Sequence, residues 1–86
     1  MIQMENKEKY ILFVRSGCDF CSKAVDLLES RAKEYELTMS SRNNPIFKMF
    51  QKAFDWKTVP MVFNKEGSTL HFIGGYTDLL ERLNEE

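Results

Sequence analysis

The sequence predicts an α/β domain: a mixed four-stranded sheet with helices on both faces, in the order β-α-β-α-β-β-α. Three observations predict it. Tyr10-Ile11-Leu12-Phe13-Val14 is continuously apolar, the pattern of a strand buried on both sides. From Cys18 onward the apolar period changes to that of a helix. Near the C-terminus, Met61-Val62-Phe63 and Leu70-His71-Phe72-Ile73 flank a short polar loop, which reads as a hairpin.

Each element can be justified in turn. The first strand is bounded by charge on one side and by Ser16-Gly17 on the other. Cys21, Ala24, Val25, Leu28, Ala32 and Tyr35 then fall on one helical stripe, so the first helix is expected to run toward Tyr35. Glu36 to Ser41 is a weaker strand in which Leu37 and Met39 alternate. Asn44-Pro45 offers an N-cap followed by proline at the first helical position. Ile46, Phe47, Phe50 and Phe54 repeat at helical spacing up to the Trp56-Lys57 loop. The hairpin loop Asn64-Lys65-Glu66-Gly67-Ser68 places glycine where a positive φ is needed. Gly74-Gly75 ends the last strand, and Thr77 or Asp78 is expected to cap a final helix with Leu79, Leu80 and Leu83 inward. A parallel βαβ start requires a right-handed crossover, and the hairpin makes the sheet mixed.

Length and charge exclude several classes. The chain has 86 residues, with 12 Lys plus Arg against 13 Asp plus Glu, a formal net charge of −1. One domain over residues 1–86 is expected, with residues 1–8 as a flexible extension. That charge balance excludes a nucleic-acid binder held by phosphate neutralisation. A hydrophobic content of 43% is too high for disorder. No apolar run approaches membrane-spanning length, and Met1 to Lys9 lacks the apolar core of a secretory signal. A cytoplasmic, monomeric protein is the expectation, with no nucleic-acid or membrane partner. Two cysteines in a reducing compartment point to catalysis, metal or inert burial rather than a structural staple.

The strongest local signal is Cys18-Asp19-Phe20-Cys21, directly after a buried strand and at the start of a helix. At i and i+3 the two sulfurs share a helix face within disulfide reach. At the helix N-terminus, unpaired N–H groups and the helix dipole favour a thiolate at Cys18. Cys21 lies a turn further in, on the apolar stripe. Cys18 is therefore the expected nucleophile and Cys21 the resolving thiol. A metal site would need more donors than one Cys-x-x-Cys supplies, and His71 is the only other soft one. No metal is expected, although a small copper-chaperone-like module also carries a single Cys-x-x-Cys before a helix. Thr58-Val59-Pro60 and Gly74-Gly75-Tyr76-Thr77-Asp78 are the second and third signals. The first puts proline at a strand start. The second puts close-approach glycines before a helix N-terminus, where carboxylates bind.

Taken together, Phe13-Val14-Arg15-Ser16-Gly17-Cys18-x-x-Cys21, Thr58-Val59-Pro60 and Ile73-Gly74-Gly75-Tyr76-Thr77-Asp78 resemble the glutaredoxins, of the small bacterial or phage type. The resemblance runs from about Tyr10 to the C-terminus. It implies a thioredoxin fold with a cis Val59–Pro60 bond, catalytic Cys18 and Cys21, and glutathione as co-substrate without a tightly bound cofactor. It also implies that Val59 pairs its backbone with the cysteine of glutathione, and that Arg15 and Lys57 meet the glycine carboxylate. Thr77 and Asp78 would hold the γ-glutamyl end, with Phe20, Thr58, Pro60 and Gly75 completing the site. The activity implied is glutathione-dependent reduction of protein disulfides and glutathione mixed disulfides, with ribonucleotide reductase as one such target.

Two departures from the family pattern stand out. The commonest motif, Cys-Pro-Tyr-Cys, is here Cys18-Asp19-Phe20-Cys21, which sets a carboxylate beside the nucleophile and removes a hydroxyl. Phe47 falls where a polar glutathione contact is expected. Two alternatives stay open: a glutaredoxin-like donor served by thioredoxin reductase, and a carrier of an iron–sulfur cluster ligated by Cys18 and glutathione.

Overall fold

In a computed structural model of the chain, residues 8–40 and 44–85 are described. Strand β1 spans Glu8–Val14, helix α1 Asp19–Ser30, strand β2 Tyr35–Met39 and helix α2 Pro45–Phe54. Strands β3 (Met61–Glu66) and β4 (Thr69–Gly74) form the hairpin, and helix α3 spans Tyr76–Asn84. The sheet order is β2-β1-β3-β4. β1 and β2 are parallel, with Leu12 beside Leu37. The β1–β3 and β3–β4 pairs are antiparallel. This is the mixed four-stranded sheet and the element order that the sequence predicts.

The apolar run of β1 is buried on both faces because its alternate residues enter two different cores. Tyr10, Leu12 and Val14 meet Cys21, Ala24 and Leu28 of α1 and Leu79 and Leu83 of α3. Phe13 points the other way, into a cluster with Phe47, Met61 and Phe63 under α2. Leu12, Leu28, Leu79 and Leu83 are essentially fully buried, and each such side chain contributes about 1.5–3 kcal/mol. The second core is mostly aromatic. Phe13 stacks on Phe47 with centroids 5.4 Å apart, and Phe50 lies 4.9 Å from Phe63. Arg31 fastens α1 to α3 by donating to the Leu83 carbonyl at 2.9 Å and to Asn84 Oδ1 at 2.6 Å. Buried Asn64 donates to the Glu8 carboxylate at 2.9 Å, which ties β3 to the start of β1.

Several boundaries differ from expectation. Glu8 belongs to β1 and pairs with Glu66, so it is not part of an extension; residues 1–7 lie outside the described residues, as does Ser41. α1 stops at Ser30, because Ala32 turns left-handed at φ 56°. Tyr35 therefore opens β2 instead of continuing the helix, and its hydroxyl donates to the Glu29 carboxylate. β3 and β4 extend further than their apolar cores, leaving Gly67 (φ 60°) in a tight turn. Asn44 caps α2 as expected, its side-chain oxygen accepting from the Ile46 and Phe47 N–H groups. The cap of α3 is Gly75 rather than Thr77 or Asp78.

Candidate active site

The site begins where β1 runs out. Gly17 takes φ 74°, a conformation glycine adopts without steric cost, and the chain turns from β1 into α1. Cys18 is the N-cap of α1, with an extended backbone, and its sulfur accepts the Cys21 N–H at 3.2 Å. A side-chain acceptor at that position satisfies one of the free amides of the first turn. The Cys18 thiol also lies 3.8 Å from the Val59 carbonyl oxygen, to which it donates. Cys18 is half-buried, whereas Cys21 is 5% exposed and packs among Tyr10, Leu12 and Leu28. Burial, followed by the hydrogen bond to Cys18 and its charge, pushes the Cys21 thiol up to about 11. One sulfur is thus accessible and amide-bound, and the other is protonated and sheltered. That is the division of labour expected for attack and resolution.

The predicted site residues assemble around Cys18, though not all in one place. Arg15, Lys57, Thr58 and Val59 line a cleft of about 450 Å³ together with Ser16, Gly17 and Cys18. The Val59–Pro60 bond is cis, as the resemblance implies, and Pro60 is buried. Phe20, Pro60, Gly75, Thr77 and Asp78 are not in the lining of this cleft. The start of α3 nevertheless packs against the two residues, Trp56 and Pro60, that flank Lys57, Thr58 and Val59. A Cβ on Gly75 would stand 3.3 Å from Trp56 Cζ2 and 3.7 Å from the Pro60 carbonyl. Phe20 is exposed, with its ring 6.1 Å from that of Tyr76 and Lys23 Nζ 5.3 Å from its centroid. Thr77 and Asp78 are exposed in the first turn of α3, and Asp78 Oδ2 accepts the Gly75 N–H at 3.0 Å.

Phe47 is not at the cleft. It is buried against Phe13 under α2, so its ring serves the core. His71 is exposed on β4, 4.0 Å from Glu66. Among the described residues, no group of three or more His, Cys, Asp or Glu side chains is placed to hold a metal.

Two residues of the site escaped the sequence reading. Trp56 packs edge-on against Phe72 and lies beneath Gly75, with its indole N–H buried and without a partner. Tyr76 packs against the same core as Cys18 and Val59, with its ring 6.1 Å from that of Phe20. The available signal was an aromatic residue directly before Lys57-Thr58-Val59-Pro60 and another directly after Gly74-Gly75.

This fold with a Cys-x-x-Cys pair at the first βα junction defines a thioredoxin-fold dithiol protein. Two solved structures share the fold. The solution structure of glutaredoxin from Brucella melitensis superposes with a TM-score of 0.66 at 23% identity, over 90% of this chain and 79% of that one. The crystal structure of Chlamydomonas reinhardtii thioredoxin f2 does so at 0.58 and 16% identity, over 96% and 82%. Residues 10–67 match the family model Glutaredoxin. Glutaredoxin-1 of Variola virus is 33% identical over 85 residues, covering 92% of this chain and 75% of the relative. Glutaredoxin-1 of Ectromelia virus (strain Moscow) is 34% identical over 79 residues, covering 85% and 69%. The chain belongs to the glutaredoxin family of thiol–disulfide oxidoreductases. No described helix is long and apolar enough to cross a membrane.

Proposed function

We propose that the protein is a glutathione-dependent oxidoreductase that reduces protein disulfides and glutathione mixed disulfides. The observation that carries this reading is the cleft beside Cys18, where two cations, Arg15 and Lys57, share the lining with Val59. A tripeptide bearing a carboxylate at one end suits that combination, because exposed cations attract the carboxylate while the Val59 backbone offers strand-like pairing.

The cycle balances in two electrons. The Cys18 thiolate attacks one sulfur of the target disulfide, and the other target sulfur leaves and takes a proton. Cys21 then gives up its proton and attacks the Cys18 sulfur, which releases the second target thiol. Cys18 and Cys21 are left as a disulfide. Two glutathione thiols reduce it in succession and leave as glutathione disulfide. Once Cys18 is in a mixed disulfide, its charge no longer opposes ionisation of Cys21, one of the causes that hold the Cys21 thiol up.

Reduction of ribonucleotide reductase is one use of such a donor. One domain over 1–86, acting as a monomer in the cytoplasm with no tightly bound cofactor, completes the reading. A coupled assay tests it, with glutathione, glutathione reductase and a small mixed disulfide, repeated with thioredoxin reductase as the sole electron source. Turnover is expected only with glutathione. Turnover only with thioredoxin reductase would overturn the glutathione assignment.

A further inference from the structure

The two halves of the proposed glutathione site lie on separate elements. Lys57, Thr58 and Val59 belong to the segment between α2 and β3. Thr77 and Asp78 belong to the first turn of α3. A ligand held at both ends needs the separation of these halves to be fixed. The side chain that links them is Trp56.

On one side the link is covalent, because Lys57 follows Trp56 directly. On the other, the Cζ2 edge of the ring faces Gly75, the N-cap of α3, where an added Cβ would stand 3.3 Å away. The same Cβ would lie 3.7 Å from the Pro60 carbonyl oxygen, so the space at Gly75 is already closed. Gly75 is also the anchor of Asp78, whose Oδ2 accepts the Gly75 N–H at 3.0 Å. A displacement of Gly75 therefore carries the Asp78 carboxylate with it.

Trp56 is itself held in place. Its backbone N–H donates to the Gln51 carbonyl at 2.9 Å, near the end of α2. Its ring meets Phe72 of β4 edge-on with centroids 5.3 Å apart, and Phe72 stacks on Phe54 at 4.8 Å. The ring is thus a fixture of the aromatic core that reaches the start of α3. Close-packed interiors transmit strain, so a change in its size is passed on to its neighbours. The indole N–H is buried with no hydrogen-bond partner among the described residues, so the ring acts through its bulk.

We propose that Trp56 is a positioning residue for glutathione: its ring sets the distance between the Lys57-to-Val59 backbone and the Gly75–Asp78 anchor. The inference rests on the glutathione reading above and adds to it what fixes the length of ligand the site accepts. Trp56 touches neither sulfur nor ligand in this scheme and acts through Gly75.

The test is a double-substitution cycle in the full chain: Trp56→Phe, Gly75→Ala and both together. Trp56→Phe shortens the ring and loses no side-chain hydrogen bond. Gly75→Ala adds the methyl that meets Cζ2, at φ −100°, outside the left-handed region, so it probes space alone. Initial rates on a small mixed disulfide are taken across glutathione concentrations. Each single change should raise the Michaelis constant for glutathione about two- to fivefold, with kcat changed less. The double variant should return to within about twofold of the native constant, because the methyl occupies what the shorter ring vacates. Cysteinylglycine, which lacks the γ-glutamyl group, cannot reach Asp78, so its kcat/KM should change less than that of glutathione. Single effects that multiply in the double variant, or equal losses with cysteinylglycine, would overturn the spacing role. So would an unchanged Michaelis constant in Trp56→Phe, which decides alone if Gly75→Ala folds poorly. If the native chain turns over with thioredoxin reductase and not with glutathione, the glutathione reading falls and the spacing role falls with it.

Discussion

Gly74 and Asp78 exclude one another's growth. A Cβ on Gly74 would fall inside the van der Waals shell of the Asp78 carboxylate, which is folded back to accept the Gly75 N–H. Gly74 also sits at φ 129°, a region side chains avoid. Gly74→Ala should therefore lower stability by about 2–4 kcal/mol, and Asp78→Ala by about 1 kcal/mol through loss of the cap. The double variant should lose less than the sum, because removing the carboxylate relieves the clash but not the backbone strain. Urea denaturation of the four proteins checks this.

The unequal burial of the two sulfurs sets a second expectation. Cys18→Ser should abolish all turnover. Cys21→Ser should keep at least about a tenth of the rate on a glutathione mixed disulfide, which one thiolate can serve, and lose reduction of protein disulfides that need resolution. Steady-state assays on both substrate types decide it. Equal loss from both variants on the small substrate would reverse the assignment.

Alkaline pH should weaken the reduced protein through Cys21. Its folded thiol is held at about 11 against 9.0 ordinarily, so the folded state binds the proton more tightly than the unfolded chain does. The stability from that difference is complete below about pH 9 and is lost as pH rises toward 11. The loss is on the order of 2 kcal/mol. Tyr35, raised by its hydrogen bond to Glu29, acts in the same direction. Denaturation midpoints from pH 8 to 11 should thus fall less in Cys21→Ala than in the native chain, and the difference isolates Cys21.

The charges of the cleft beside Cys18 should act on binding more than on chemistry. Arg15→Ala and Lys57→Ala are each expected to raise the Michaelis constant for glutathione about two- to fivefold, with the maximal rate changed less. Raising the salt should raise that constant in the native chain and narrow its gap to the variants. Initial rates across glutathione concentrations at two ionic strengths provide the check.

The parts of this fold that could be read from sequence are those whose cause is local. β1 is legible because both of its faces are buried, so every residue from Tyr10 to Val14 is apolar. The start of α2 is legible because Asn44 and Pro45 are capping chemistry in consecutive positions. The end of α1 was not, because Ala32 and Tyr35 continue the helical stripe and nothing marks Ala32 as left-handed. The sulfur pair was visible as a motif. The cleft around it was visible only through the family pattern, since Arg15 and Lys57 lie 42 positions apart and neither stands out from the other surface charges. The contact of Gly75 with Trp56 and Pro60 depends on how α3 docks against the chain just before β3. The role of Asp78 as the partner of Gly75 is a matter of side-chain conformation, which spacing does not encode.

Trp56 gives the molecule a built-in optical gauge. It is the single tryptophan in the chain, and its ring touches the space beneath Gly75 while its neighbour Lys57 lines the cleft beside Cys18. Any occupant that shifts the Lys57-to-Pro60 segment or the start of α3 must also change the surroundings of that indole. Fluorescence of the unlabelled protein can therefore report on that side of the site with no dye attached.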